Sequence, residues 1–140
     1  MDRGMKAILF ALFVALLMVG CGDDSPSTGD PKLDKFLNEA IDAEEIQFRG
    51  KEGEQLAYAP NEQTPYTGWT KGSFDNGQPH NLTQYKDGKK DGVMTRWYPN
   101  GQKIGGGNYK EGKKDGLWIY YNEDGTELGR ETYKDGKLVD

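Results

Sequence analysis

The feature that most constrains this chain is a phrase of 24 residues that recurs through its second half. Three tyrosines share this spacing: Tyr85, Tyr109 and Tyr133. Glycines repeat with the same period in three further series: Gly68, Gly92 and Gly116; Gly88, Gly112 and Gly136; Gly53, Gly77, Gly101 and Gly125. Independent series with one period indicate a tandem repeat, in which each unit must stack on its neighbours to bury a face.

Each unit carries two signals for a tight turn. One is an acidic residue followed by glycine, as at Asp87 and Gly88, and the other is Asn-Gly or Asp-Gly, as at Asn100 and Gly101. These dipeptides supply the positive φ angles that hairpin turns require. The segments between them have room for strands of about 6 to 8 residues. We therefore predict a mainly β fold, in which tandem 24-residue β-hairpin repeats form an elongated antiparallel meander sheet.

Alternating apolar residues support these strands. Val93, Thr95 and Trp97 are expected on one face of a strand, because side chains at every second position share a face. The third unit looks irregular, since the aromatic pair that begins at Tyr120 lies one residue closer to the preceding Gly116 than the pair that begins at Trp97 lies to Gly92. We expect a bulge or a longer turn in that unit.

Residues before the repeats predict two further elements. A hairpin that turns at residues 50–53 opens the repeat region, which we place at residues 45–140. One short N-terminal α-helix, amphipathic and placed at residues 32–44, is predicted from an apolar stripe, with Asp30 as its cap and Pro31 in its first turn. We expect this helix to pack on the first hairpins and to cover an open edge of the sheet.

The N-terminus has the pattern of a secretion signal. Residues 1–20 combine a short basic region with an apolar run, Ala7 to Val19, that is too short to span a membrane. The single cysteine, Cys21, follows a small residue, and this arrangement resembles a bacterial lipoprotein signal. The resemblance implies lipidation at Cys21, membrane attachment through that lipid anchor, and a location in the cell envelope. The polar segment at residues 21–31 is predicted to be a flexible tether.

Composition excludes several kinds of chemistry. The formal net charge of −5 argues against nucleic acid as a partner. His80 is the only histidine, so neither a histidine-based metal site nor a second catalytic imidazole is available. The aspartates fit turn positions better than a calcium loop. We expect a protein that is not an enzyme and that has no catalytic residues, no metal and no cofactor.

Aromatic and basic residues are the remaining candidates for binding. The aromatic candidates either form a packed ladder between hairpins or stack on sugar rings or partner chains. The candidate lysines, together with Lys137, are expected to line one edge of the sheet. They form either a solvated edge or a docking stripe for an anionic wall polymer. The candidate binding residues are Trp69, Trp97, Tyr98, Trp118, Tyr120, Lys89, Lys90, Lys113 and Lys114.

The repeat phrase resembles that of a known family. The stretches "YKDGKKDG", "WYPNGQK" and "YKEGKKDGLWIYYNEDG", with "TPYTGW" at residues 64–69, look like bacterial MORN-variant repeats of YwqK-type antitoxin proteins. The resemblance covers roughly residues 45–140 and implies tandem β-hairpins in a secreted or lipid-anchored protein. The stretch "GLWIYYNEDGTELG" is also similar to choline-binding repeats of cell-wall proteins, but those repeats are shorter.

These features lead to one main functional hypothesis and two alternatives. The main hypothesis is a lipid-anchored, non-catalytic β-repeat interaction module of the bacterial cell envelope, which binds an unknown protein or envelope polymer. One alternative is a protein that binds a wall polymer or another carbohydrate through aromatic residues and lysines. The other alternative is an antitoxin or immunity protein that neutralises a toxin by masking it.

Overall fold

The computed structural model describes residues 28–139, so the predicted signal peptide, Cys21 and the first part of the tether lie outside the described residues. A 3₁₀ turn at Ala43–Glu45 lies between the first two strands. The elements are α1 (Pro31–Glu39), β1 (Ile41–Asp42), β2 (Gln47–Arg49), β3 (Leu56–Tyr58), β4 (Gly68–Ser73), β5 (Pro79–Lys86), β6 (Lys89–Trp97), β7 (Lys103–Lys110), β8 (Lys113–Tyr121), β9 (Glu127–Lys134) and β10 (Lys137–Leu138).

Eight of these strands form one long sheet, in the order β1-β4-β5-β6-β7-β8-β9-β10. From β4 to β10 each strand pairs antiparallel with the next strand in the chain, and only β1 pairs parallel, with β4. The predicted mainly β meander is therefore confirmed. The hairpin that turns at residues 50–53 also forms, but its strands β2 and β3 make a separate two-stranded sheet.

The acid-glycine turns link each hairpin to the one before it. At Glu111 and Gly112 the φ angles are 47° and 84°, and the equivalent turns of the other units have nearly the same values. The Gly112 backbone N–H donates to the carbonyl of Lys90 at 2.7 Å, one unit earlier, and the Gly136 N–H donates to that of Lys114 at 2.9 Å. These bonds explain why the phrase is periodic, because every turn needs both positive φ angles and a neighbouring unit.

The opposite turns show that the third unit is regular. The backbone N–H of Tyr98 donates to the Gln102 carbonyl at 2.8 Å, and that of Asn122 donates to the Thr126 carbonyl at the same distance. A register shift falls 24 residues apart in all three hairpins, after Gly72, Arg96 and Tyr120. The bulge that was expected in the third unit is therefore confirmed, although every unit has one, and the alternative expectation of a longer turn is wrong.

The helix begins as predicted and ends earlier. Asp30 accepts a hydrogen bond from the backbone N–H of Lys32 at 2.9 Å, and Pro31 occupies the first turn. The helix ends at Glu39 instead of residue 44, because Ala40 is extended and β1 then pairs with β4. The sheet edge is thus covered by β1 and not by the helix. Within the described residues, no helix is both long and apolar enough to cross a membrane.

The core lies between α1 and one face of the first strands. It contains Leu37 and Ala40 from the helix region and Leu82 and Trp97 from the sheet, while Phe36 stacks on Trp69 with ring centroids 4.5 Å apart. We call the sheet surface that carries Trp69, Leu82 and Trp97 the helix face. Val93 and Leu117 continue the helix face beyond the reach of α1 and are exposed.

Candidate functional site

The surface opposite the helix carries a cluster of aromatic side chains from successive hairpins. Trp118 lies at its centre, with ring centroids 5.2 Å from Tyr109, 6.5 Å from Tyr120 and 6.4 Å from Tyr133. Tyr85 belongs to the same surface, because it pairs with Lys90, whose ammonium lies 5.4 Å from the centroid of the Tyr109 ring. We call this surface the aromatic face.

A glycine lets Trp118 lie flat on the sheet. A Cβ atom at Gly107 would stand 2.6 Å from the indole ring, so any larger residue there would push the ring outward. The indole N–H donates to the carbonyl of Asn108 at 3.2 Å. Only 4% of Trp118 is exposed. The side chain therefore forms the floor of the aromatic face and offers almost no surface to a binding partner.

The ammonium of Lys114 sits among three rings above that floor. Its Nζ atom is 4.3 Å from the ring centroid of Trp118, 4.5 Å from that of Tyr133 and 5.7 Å from that of Tyr120. It also donates to the Tyr120 hydroxyl at 3.0 Å. Each cation–π contact of this kind contributes about 0.5 to 2 kcal/mol, so Lys114 holds the aromatic face in one arrangement.

A tyrosine–carboxylate pair borders this cluster. The Tyr133 hydroxyl donates to Oε2 of Glu131 at 2.7 Å. This hydrogen bond raises the pKa of Tyr133 and lowers the pKa of Glu131, because it favours the neutral phenol and the ionised carboxylate. Burial raises the pKa of Tyr120, with Glu131 adding to the effect. The aromatic face therefore carries neutral phenols and an ionised Glu131 at neutral pH.

Exposed lysines flank the three acid-glycine turns at one end of the sheet. In each hairpin two lysines stand directly opposite each other, an arrangement that costs stability because like charges repel. We call this set the lysine rim; its pairs are Lys86 with Lys89, Lys110 with Lys113, and Lys134 with Lys137. Successive pairs are about 9.6 Å apart, because each hairpin adds two strands of about 4.8 Å.

The structure separates the residues that the sequence grouped as candidates. Trp69 packs under α1, and Trp97 is 3% exposed in the core, so both lie on the helix face and away from the aromatic face. Tyr98 is half-buried and donates its hydroxyl to the Tyr121 carbonyl at 3.1 Å. Tyr120 lies on the aromatic face beside Trp118.

The predicted lysine edge divides into two sets. Lys89 and Lys113 are exposed on the lysine rim, as is Lys137. Lys90 and Lys114 point over the rings of the aromatic face instead. Adjacent lysines point to opposite faces because side chains alternate along a strand.

Several aromatic residues were missed as candidates. Tyr109 and Tyr133 both contact Trp118, and the 24-residue tyrosine series was the signal that could have identified them. Phe48, on β2, is 54% exposed beside the lysine rim, and no periodic pattern marks it.

His80 has a local partner. Its ring lies 5.2 Å from that of Phe74, and its Nδ1 atom is 2.8 Å from the Asn81 side-chain nitrogen. In residues 28–139 no group of three or more His, Cys, Asp or Glu side chains is arranged to hold a metal ion.

Comparison with known proteins identifies no relative. No family model, curated protein or solved structure matches the chain. The likeness to MORN-variant repeats therefore stays a prediction from the motifs themselves.

Proposed function

We propose that this protein is a non-catalytic interaction module, anchored through a lipid at Cys21 in the bacterial cell envelope, which binds an envelope partner through its aromatic face and lysine rim. The lipid anchor and the location rest on the sequence pattern at residues 1–21. The binding role rests on the arrangement of the described sheet. The proposal treats the repeats as a scaffold that displays side chains at fixed spacing.

The observation that carries the proposal is the Lys114 cluster on a face that α1 does not cover. The helix packs against Trp69 and Trp97, on the other side of the sheet. The aromatic face presents half-buried Tyr109, Tyr120 and Tyr133, held by a buried indole and a central ammonium. Rings that are partly exposed and fixed in place can be buried by a partner with little loss of side-chain entropy.

The lysine rim adds positive charge to this surface. Paired like charges reduce the stability of each hairpin, yet three successive units keep them. Their positive field attracts and orients an anionic partner, because complementary charge raises the rate and the specificity of encounter. We expect attraction to weaken as salt is added, since the lysines are exposed and therefore screened.

A capture experiment from detergent-solubilised cell envelope tests the proposal. The bait is the full chain, and the double variant Tyr109→Ser/Lys113→Ser is compared with Val93→Ser/Leu117→Ser, which changes exposed residues of the helix face. We expect one stoichiometric partner with the parent and the helix-face variant, and none with Tyr109→Ser/Lys113→Ser. Equal capture by both variants, or no capture by the parent, would refute the proposed surface.

The anchor is tested separately with Cys21→Ala. We expect this variant to leave the membrane fraction, because the acyl chains would supply most of the membrane affinity. A Cys21→Ala protein that fractionates with membranes as the parent does would contradict the lipoprotein assignment.

A further inference from the structure

A wide cleft lies where the two-stranded sheet approaches the lysine rim. Its volume is about 770 Å³. Three aromatic residues and three lysines line it: Phe48, Tyr85, Tyr109, Lys89, Lys90 and Lys113. The cleft thus joins the non-repetitive hairpin to the periodic sheet, and it combines rings with positive charges in one concave surface.

The rings of this cleft differ in how far they are covered. Tyr85 is buried and forms part of the floor. Tyr109 is half-buried, and Phe48 is exposed on the opposite element. A flat apolar ring face that is open to a polar cleft suits the C–H face of a sugar ring, which is apolar while its edge carries hydroxyl groups. Covering Phe48 would also remove apolar surface from water.

The charges of the cleft favour an anionic ligand. Glu54 and Glu111 also line it, so three ammonium groups face two carboxylates. These carboxylates can accept hydrogen bonds from sugar hydroxyls. The complete chain is acidic, but eight lysines and five carboxylates lie along the three acid-glycine turns. The lysines are Lys86, Lys89, Lys90, Lys110, Lys113, Lys114, Lys134 and Lys137, and the acids are Asp87, Asp91, Glu111, Asp115 and Asp135.

The lysine rim extends the positive charge beyond the cleft. Its next pairs follow at about 9.6 Å and about 19 Å, the width of two and four strands. A ligand with one anionic group would use only the lysines that line the cleft. A polymer with regularly spaced anionic groups would also meet Lys110, the partner of Lys113, and then Lys134 and Lys137 along the same end of the sheet.

We propose that this cleft binds a carboxylate-bearing polysaccharide, with one sugar ring between Phe48 and Tyr109, its carboxylate at Lys89 and Lys113, and the following sugars along the lysine rim. The inference rests on the proposed function and names the chemical class of the partner. A chain of glycerol phosphates lacks the rings that Phe48 and Tyr109 would stack on, and a neutral glycan lacks the charge that the rim complements.

Titration calorimetry with defined polymers tests this inference on the full chain in a neutral detergent. The probes are oligogalacturonate, a neutral dextran oligosaccharide of equal length, and poly(glycerol phosphate). We expect oligogalacturonate to bind at least tenfold more tightly than either other probe, a difference of about 1.4 kcal/mol or more, and to lose affinity as salt is added. Equal binding of dextran, preference for poly(glycerol phosphate), or no binding of oligogalacturonate would overturn the inference.

Matched variants locate the site. We expect Phe48→Ser and Lys89→Ser/Lys113→Ser each to weaken oligogalacturonate binding roughly tenfold, which corresponds to about 1.4 kcal/mol. The controls are Leu117→Ser, an exposed apolar residue of the helix face, and Lys32→Ser/Lys103→Ser, the same loss of charge elsewhere. Controls that weaken binding as much as the cleft variants would place the polymer elsewhere.

The capture experiment and the polymer titration together separate the polysaccharide inference from the proposed function. If the capture experiment recovers a partner through the aromatic face while oligogalacturonate does not bind, the polysaccharide inference fails and the interaction module stands. If the envelope yields no partner and no polymer binds, both fail.

Discussion

At the scale of single residues, the aromatic face depends on Gly107. Replacing it with alanine would set a Cβ atom 2.6 Å from the indole of Trp118 and force the ring away from the sheet. We expect Gly107→Ala to lower the free energy of unfolding by about 1 to 3 kcal/mol, the usual cost of overpacking. Chemical denaturation followed by tryptophan fluorescence measures the change.

Gly129 provides the control for that prediction. It lies in β9, and a Cβ atom there would have no neighbour within 4 Å. We expect Gly129→Ala to be neutral or slightly stabilising, because alanine restricts the unfolded chain more than glycine does. A Gly129→Ala protein destabilised as much as Gly107→Ala would show that loss of glycine, and not the contact with Trp118, causes the effect.

The hydrogen bond between Tyr133 and Glu131 predicts a pH effect. Because the bond lowers the pKa of folded Glu131, it contributes stability above the ordinary glutamate pKa of about 4.3, and this contribution is lost as pH falls through the lowered value. We expect Tyr133→Phe to raise the Glu131 pKa toward the ordinary value, as measured by NMR titration of the carboxyl carbon. An unchanged pKa would contradict this role.

At the scale of elements, equivalent turns differ in their surroundings. Gly88 and Gly112 both have φ near +80°, so alanine costs about 1 kcal/mol at either position from the backbone alone. Only Gly88 is enclosed, since a Cβ atom there would lie 2.7 Å from Cβ of Leu56 in β3. We expect Gly88→Ala to be the more destabilising by about 1 to 3 kcal/mol in thermal unfolding. Equal effects would mean that β3 does not pack on this turn.

The helix is held to the sheet by its apolar stripe. Leu37 is 5% exposed and contacts the core, so Leu37→Ala should reduce the free energy of unfolding by about 2 to 5 kcal/mol. Leu128 is 68% exposed, and Leu128→Ala should change the free energy of unfolding by less than about 0.5 kcal/mol. Similar losses in the two variants would contradict the packing of α1 on the helix face.

The sequence predicted those elements whose signals are local. Asp-Gly turns and the Asp30 cap act over a few residues, so the hairpins and the start of the helix were foreseen. The end of the helix was not, because β1 forms by pairing with β4, about 30 residues away. The third unit was misread because its aromatic pair was matched by residue type, whereas the 24-residue phase aligns Trp97 with Tyr121.

The candidate site was only partly predictable for a related reason. A period of 24 shows which residues are equivalent, but it does not show which face of the sheet α1 covers. Trp97 and Trp118 look alike in sequence, yet one lies under the helix and the other under Lys114. Phe48 joins the cleft through the separate hairpin, a contact that no periodicity encodes.

At the scale of the whole molecule, the last described hairpin differs from the preceding unit in its charged side chains. Arg130 and Glu131 stand where the preceding unit has Gly106 and Gly107, and Arg130 pairs with Glu127 at 2.6 Å. Strand β10 has only two residues, so within residues 28–139 it pairs with only a short part of the outer edge of β9. Charges along such an edge discourage pairing with a further strand and limit aggregation.

The repeat architecture predicts which deletions the fold tolerates. Removing residues 105–128, one full period, joins Ile104 to Gly129 and keeps every later side chain on its own face, so we expect a cooperative fold with a smaller denaturant m value. Removing residues 105–127 shifts β9 by one residue and turns its side chains to the opposite face. We expect this second variant to lose cooperative unfolding in denaturant titrations; equal behaviour of the two would contradict the repeat as the unit of the fold.

The central claim is that the aromatic face and lysine rim form the recognition surface, and photo-crosslinking in intact cells tests it most directly. A benzoyl-phenylalanine is placed at Tyr109, on the aromatic face, or at Leu117, which is 46% exposed on the helix face. We predict a covalent adduct with an envelope component from position 109 and none from position 117. Adducts from position 117 alone, or from both positions equally, would contradict the claim.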